Sequence, residues 1–200
     1  MNKTLIAFGL LCLIGSMLCI EGGRMASLEG KRVVMVIAHE NFRDEEFQEP
    51  YELLTSLGAS VEIASTSLEE AKGMLGKRVK PTMLLEDVDP NEFDAVIFVG
   101  GSGAANYFND STALGLARKA YEAGKVVAAI CIAPVILANA GVLRGKRATV
   151  WDGDFVKQLE ANGASYTGNS VEIDGKVITA NGPHAARQFA EAIAKLLGGE

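Results

Sequence analysis

The chain has 200 residues and a formal net charge of −6; it is 48% hydrophobic and 22% charged, with 22 glycines against 5 prolines. Those figures describe one globular domain and exclude a nucleic-acid binder that works through a basic surface. Three cysteines are too few, and odd in number, for a disulfide framework.

The first 24 residues differ from the rest. Leu5 to Ile20 carry no charge and follow Lys3, the pattern of a secretory signal or a short membrane anchor. Sixteen uncharged residues fall just short of the roughly 20 needed to span a bilayer. Glu21-Gly22-Gly23-Arg24 stands where a small-x-small cleavage site belongs, and bulky Leu18 precedes Cys19, against a lipoprotein signal. A translation start at Met25, leading into MASLEGKRVVMV, accounts for the same sequence. Residues 1–24 are therefore set apart as a signal peptide, an anchor giving membrane association through residues 5–20, or a mis-assigned start. Residues 25–200 form the domain. The chain is exported or membrane-anchored under the first two readings and cytoplasmic under the third.

Arg32–Ala38 (RVVMVIA) is a short apolar run of the kind that makes a buried parallel strand. A helix follows over an acidic stretch, with Asp44 as its N-cap, and ends at Leu57-Gly58; Pro50 belongs near its first turns or kinks it. Most of Glu40, Asp44, Glu45, Glu46, Glu49 and Glu52 are expected on a solvated face. Ser60–Ser65 alternates as a strand, and Lys77–Leu85 reads as a small hairpin or extended excursion. Ala95–Val99 is a strongly apolar strand; Asp110 caps a helix over Ser111–Ala123 that Gly124 stops. Val126–Ile130 is the next buried strand, followed by a helix over Ala133–Ala140. Ala148–Trp151 is expected as a strand and Asp154–Ala161 as a short helix. Val171–Ile173 and Val177–Ala180 flank Asp174-Gly175, a tight-turn signal for a hairpin. Pro183 opens a last helix to Leu197, with Phe189, Ile193 and Leu197 on one face. Strands alternating with helices predict a three-layer α/β sandwich on a mostly parallel sheet.

In such sheets ligands bind beyond the carboxyl ends of the strands. One such junction reads AAICIAP, with Cys131 between an apolar strand and an apolar helix and small residues around it. A nucleophile held on a sharp strand-to-helix turn needs small neighbours. The helix N-terminus is expected to lower the thiol pKa, and backbone N–H groups at the turn are placed to hold an oxyanion. The same pattern also suits a cysteine acting as a small core hydrophobe. A second junction, FVGGSGA, carries Gly100, Gly101 and Gly103, and matches neither a P-loop nor a dinucleotide fingerprint. A carboxylate from the acidic stretch beside a thiol would have its pKa raised and could stay protonated. Two histidines and one body cysteine present no ligand set at metal-binding spacing, so no metal and no cofactor is expected.

Taken together, FRDEEFQEPYELL (42–54), FVGGSGA (98–104), AAICIAP (128–134) and VEIDGKVITANGP (171–183) resemble the ThiJ/PfpI superfamily, cysteine-dependent relatives of the class I glutamine amidotransferase domain. The resemblance runs in order from Lys31 to Leu197. It implies a flavodoxin-like fold with a nucleophile-elbow cysteine. It places the nucleophile on Cys131, its partner carboxylate on Glu46 and the oxyanion donors on the backbone N–H groups of Gly101 and Ile132, with Gly100 and His184 as accessory positions. Two departures stand out. Ile132 occupies the place of the histidine that follows the cysteine in peptidase-like members, and Trp151 lies near the place of a downstream histidine in others. His184 offers a substitute base or a solvent-facing residue of the last helix, and His39 a structural residue.

The implied function is a thiol enzyme acting on small reactive carbonyls or glycated adducts through a Cys131 hemithioacetal, as a glyoxalase or deglycase. The alternatives are a peptidase or amidase, or a non-enzymatic redox sensor or chaperone-like stress protein using the same cysteine. The resemblance also favours a homodimer or larger homo-oligomer.

Overall fold

The computed structural model describes residues 25–199; the expectations for residues 1–24 lie outside them. The elements are β1 (Arg32–Val36), β2 (Glu40–Phe42), α1 (Asp44–Ser56), β3 (Ser60–Ser65), β4 (Ala71–Gly73), β5 (Arg78–Val79), β6 (Met83–Leu84) and β7 (Ala95–Phe98). Then come α2 (Ser111–Glu122), β8 (Val126–Ile130), α3 (Pro134–Asn139), β9 (Arg147–Ala148), α4 (Asp154–Ala161), β10 (Ser165–Tyr166), β11 (Val171–Asp174), β12 (Val177–Ala180) and α5 (Ala186–Gly198).

The main sheet has the order β11-β12-β8-β7-β1-β3-β6 and is parallel except for β11, which runs antiparallel to β12. Every residue of β7 and β8 is buried, which explains why these strands read as unbroken apolar runs rather than alternating ones. Helices α1 and α5 pack together on one face, while α2 and α3 cover the other and α4 packs on α3. The fold is thus a three-layer sandwich of flavodoxin-like type, as the sequence predicts. The Asp174-Gly175 hairpin forms, with Asp174 opposite Val177 and Gly175 at φ 63°. Asp110 caps α2 by accepting a 2.8 Å bond from the Ala113 N–H, and Phe189, Ile193 and Leu197 are buried along α5.

Three expectations change. The strand expected over Ala148–Trp151 shrinks to β9, which pairs with β10 in a separate two-stranded sheet. Beyond it the backbone leaves any ladder: the Thr149 N–H bonds the Thr179 hydroxyl (2.9 Å) and the Trp151 N–H bonds the Cys131 carbonyl (2.8 Å). Lys77–Leu85 divides, β5 joining β4 and β2 in a three-stranded sheet while β6 extends the main sheet beside β3.

The third change concerns Asp44, which does not cap α1. Arg43 holds the N-cap position without a side-chain bond, and Asp44 is the first helical residue. Its buried carboxylate accepts the backbone N–H groups of Leu75 (2.8 Å) and Lys77 (2.7 Å), tying the β4–β5 hairpin to the helix. Glu46 is also fully buried, so the acidic stretch is less solvated than its composition suggests. Pro50 sits inside α1, in its second turn.

Candidate active site

The carboxyl ends of β1, β7, β8 and β12 converge on Cys131. The residue adopts φ 64°; among the described residues only it and Asn41 (φ 60°) are non-glycines at positive φ. Left-handed backbone costs an L-residue roughly 1–2 kcal/mol. Here both sides of the turn are pinned: the Cys131 N–H donates to the Ala180 carbonyl at the end of β12 (2.9 Å), and its own carbonyl accepts from Trp151. Ala128, Ala129 and Ala133 are fully buried around the turn, which leaves room for this sharp path. The strain holds the thiol at the base of a cleft with 8% of the residue exposed.

The glycines of the second junction have steric roles. A Cβ on Gly100 would lie 2.5 Å from the Cys131 Cβ and 2.7 Å from the Ile130 carbonyl oxygen, and would overlap the Glu46 carboxyl. Only a residue without a side chain lets thiol and carboxyl approach each other there. Gly101 needs its freedom twice over, since it sits at φ 96° and a Cβ would run into the backbone of residues 41–43. The Gly100 carbonyl in turn accepts the Arg43 N–H (2.9 Å), fixing the start of α1 against the glycine loop.

Glu46 projects from the first turn of α1 with both carboxyl oxygens sealed from solvent and without a well-formed hydrogen bond. Burial raises its pKa from the usual 4.5 to about 8; the neighbouring thiol, the charge of Arg43 and the Gly100 N–H offset part of that rise. Burial, and then the Glu46 charge, push the Cys131 thiol up to about 12, with the N–H groups of Gly101 and Ile132 working in the other direction. The expected lowering of the thiol pKa therefore does not occur. Helix α3 has only six residues and begins at Pro134, and the help the thiol gets from the Gly101 and Ile132 N–H groups is outweighed by desolvation and the facing carboxyl. The pair behaves as a unit that carries two protons below pH 8 and one above it. Both N–H groups expected as oxyanion donors, those of Gly101 and Ile132, lie against the sulfur.

The cleft over this pair has a volume of about 330 Å³. Its lining joins the buried Glu46, Gly101, Cys131 and Ile132 to Arg43, Phe155 and Pro183, which are half-buried, and to the exposed Met74, Ser102, Trp151 and His184. Arg43 is committed to Glu45 through two bonds of 2.8 and 3.0 Å. His184 is exposed in the Pro183–Ala185 turn, its ring 6.4 Å from that of Trp151. His39 does not line the cleft. Among the described residues, no group of three or more His, Cys, Asp or Glu side chains is arranged to hold a metal ion.

Several of these walls escape sequence reasoning. Met74 arrives from the β4–β5 hairpin, about sixty residues from the cysteine; its one signal is an exposed apolar pair, Met74-Leu75, between glycines in an otherwise polar stretch. Arg43 and Phe155 give no signal of their own.

A flavodoxin-like sandwich with a strained elbow cysteine beside a buried carboxyl defines a class, and the comparisons place the chain within it. The chain belongs to the DJ-1/PfpI family, whose model matches residues 31–196. It is 37% identical over 201 residues to an uncharacterized protein of Methanocaldococcus jannaschii, covering 98% of each chain. It is 34% identical over 166 residues to a protein of Pyrococcus horikoshii named a deglycase, covering 83% of this chain and 99% of that one. The solved ThiJ/PfpI domain protein from Brachyspira murdochii superposes with a TM-score of 0.82 at 32% identity, over 88% of this chain and 99% of that one. Among the described residues no helix is long and apolar enough to cross a membrane.

Proposed function

We propose that the protein is a cysteine-dependent enzyme that converts small reactive dicarbonyls, free or as adducts on amines and thiols, into 2-hydroxy acids. One observation carries the reading: a strained, positive-φ cysteine and a buried carboxyl with no well-formed hydrogen bond face each other in an open cleft. The deglycase name of relatives at 31–34% identity supports the substrate class.

In its ionised form Glu46 accepts the thiol proton as the Cys131 sulfur attacks an aldehyde carbon. The C–S bond forms, the C=O π electrons move to oxygen, and the alkoxide rests against the N–H groups of Gly101 and Ile132. Glu46 returns the proton, giving a hemithioacetal. It then removes the proton on that carbon; the electron pair forms the C=C bond of an enediol as the adjacent carbonyl oxygen takes up a proton. The adjacent carbon is then protonated while the first hydroxyl gives up its proton to become the thioester carbonyl. The resulting thioester is hydrolysed by water, which releases the 2-hydroxy acid and restores the thiol. The aldehyde carbon is oxidised and its neighbour reduced, so no external oxidant enters. For an adduct, the amine or thiol leaves with a proton. A peptidase is less well served, because Ile132 follows the nucleophile and His184 is exposed at the mouth.

The test is 2-hydroxy acid formation from methylglyoxal by the full chain and by Cys131→Ser. The expected outcome is turnover by the wild type and none above background in the variant. Equal rates in the two would overturn the reading.

A further inference from the structure

Above the reacting pair the cleft presents no Lys and no unpaired Arg to a ligand. Arg43, the one Lys or Arg side chain on its walls, is doubly bonded to Glu45. The rest of the wall is Ile132, Trp151, Phe155, Met74 and Pro183, with Trp151 and Met74 exposed despite their size (41% and 44%). Exposed large apolar side chains gathered round a concave site mark what the site is built to cover.

The Trp151 ring is held in position. Its backbone N–H is tied to the Cys131 carbonyl, and its face lies so close to Gly182 that a Cβ there would come within 2.6 Å of the ring. The indole is thus fixed relative to the sulfur by the same turn that strains the cysteine. Met74 is fixed from the other side, because Asp44 bonds the N–H groups of Leu75 and Lys77 directly after it. At about 330 Å³ the cleft falls in the size range of pockets that take drug-sized ligands, which is more space than a three-carbon dicarbonyl fills.

We infer that the substrate is an uncharged dicarbonyl carrying a bulky apolar substituent, an aryl or branched-alkyl glyoxal, and that Trp151 is the residue that selects it. The inference rests on the dicarbonyl reading above. With the aldehyde carbon at the Cys131 sulfur and its oxygen toward the Gly101 and Ile132 N–H groups, the substituent points away from Glu46 into the space between Trp151 and Met74. A carboxylate carried on that substituent, as in 4-carboxyphenylglyoxal, would lose water against Trp151 and Met74 with no Lys and no unpaired Arg beside it.

Two measurements on the full chain test this separately from the chemistry. The first is binding to Cys131→Ser, read through the fluorescence of Trp151, the single tryptophan of the chain, with cyclohexyl methyl ketone against acetone. Neither ketone has the second carbonyl that turnover requires. An apolar pocket rewards even one added methylene by about tenfold or more, so at least a tenfold lower Kd is expected for the cyclohexyl ketone. The second is kcat/KM for phenylglyoxal, methylglyoxal and 4-carboxyphenylglyoxal, all of which have the two adjacent carbonyls that turnover requires. A preference of about tenfold or more for phenylglyoxal over methylglyoxal is expected, arising in KM. It falls toward parity in Trp151→Ala and is kept in Trp151→Phe, and 4-carboxyphenylglyoxal is poorer than phenylglyoxal. Tight binding of the cyclohexyl ketone without turnover of any dicarbonyl would sink the enzyme reading and leave the apolar subsite standing. Cys131-dependent turnover of methylglyoxal with equal Kd values for the two ketones would overturn the inference alone. So would a phenylglyoxal preference that survives in Trp151→Ala.

Discussion

Asp44 and Glu46 stand two residues apart in the first turn of α1; both are buried, and they have opposite surroundings. The Asp44 carboxylate is saturated with backbone donors from the β4–β5 hairpin, at 2.8 and 2.7 Å. Glu46 faces a thiol and has no well-formed bond at either oxygen. A buried carboxylate held by backbone N–H groups is a fastening whose oxygens are already committed. A buried carboxyl left without such donors keeps its proton to about pH 8 and is free to pass it on. The same residue chemistry, one helical step along, serves architecture in one case and proton transfer in the other.

The contrast breaks most visibly in catalysis. Glu46→Gln keeps the shape and removes the proton acceptor, so kcat on dicarbonyls is expected to fall by roughly 10²–10⁴-fold, the usual worth of a general acid–base group. Steady-state rates at pH 8.5 or so check it; a variant within a few-fold of wild type would assign Glu46 to packing.

Stability gives the next effect. Because the folded-state pKa of Glu46 lies above its unfolded value, its protonated form favours folding. That contribution is complete below pH 4.5 or so and is lost as pH rises through about 8, with a slope of up to about 1.4 kcal/mol per pH unit. Denaturant unfolding of wild type and Glu46→Gln across this window is expected to show the variant gaining relative stability as pH increases. Parallel curves would mean that the carboxyl is not desolvated as described.

The smallest effect belongs to Asp44. Asp44→Ala leaves two backbone N–H groups without partners and is expected to cost about 1–3 kcal/mol of unfolding free energy. Its kinetic consequence should appear in KM, through Met74, rather than in kcat. Chemical denaturation and steady-state kinetics check the two halves of that statement.

Much of the account is legible in the sequence because it depends on local pattern. VVMVIA, AVIFV and VVAAI read as strands since both faces of the central sheet are covered, and AAICIAP reads as an elbow since the turn tolerates only small neighbours. Glu46 is marked by its spacing from Pro50 within the family resemblance, whereas nothing in the local pattern separates it from Asp44. The partners of Asp44 lie 31 and 33 positions downstream, and no periodicity announces them. The same holds for Trp151: its apolar neighbours suggest a strand, but its N–H is drawn to the Cys131 carbonyl instead. The direction of the thiol pKa is equally hidden, because it depends on how deeply α1 and the glycine loop seal the pair, which is a property of packing.

The central claim, that Cys131 and Glu46 share one transferable proton while Asp44 serves only as a fastening, is tested most directly by the pH dependence of kcat/KM on a neutral dicarbonyl. Wild type and Asp44→Asn are expected to rise through a single ionisation near pH 8, and the residual rate of Glu46→Gln to show no such ionisation. An unchanged ionisation in Glu46→Gln, or its loss in Asp44→Asn, would contradict the account.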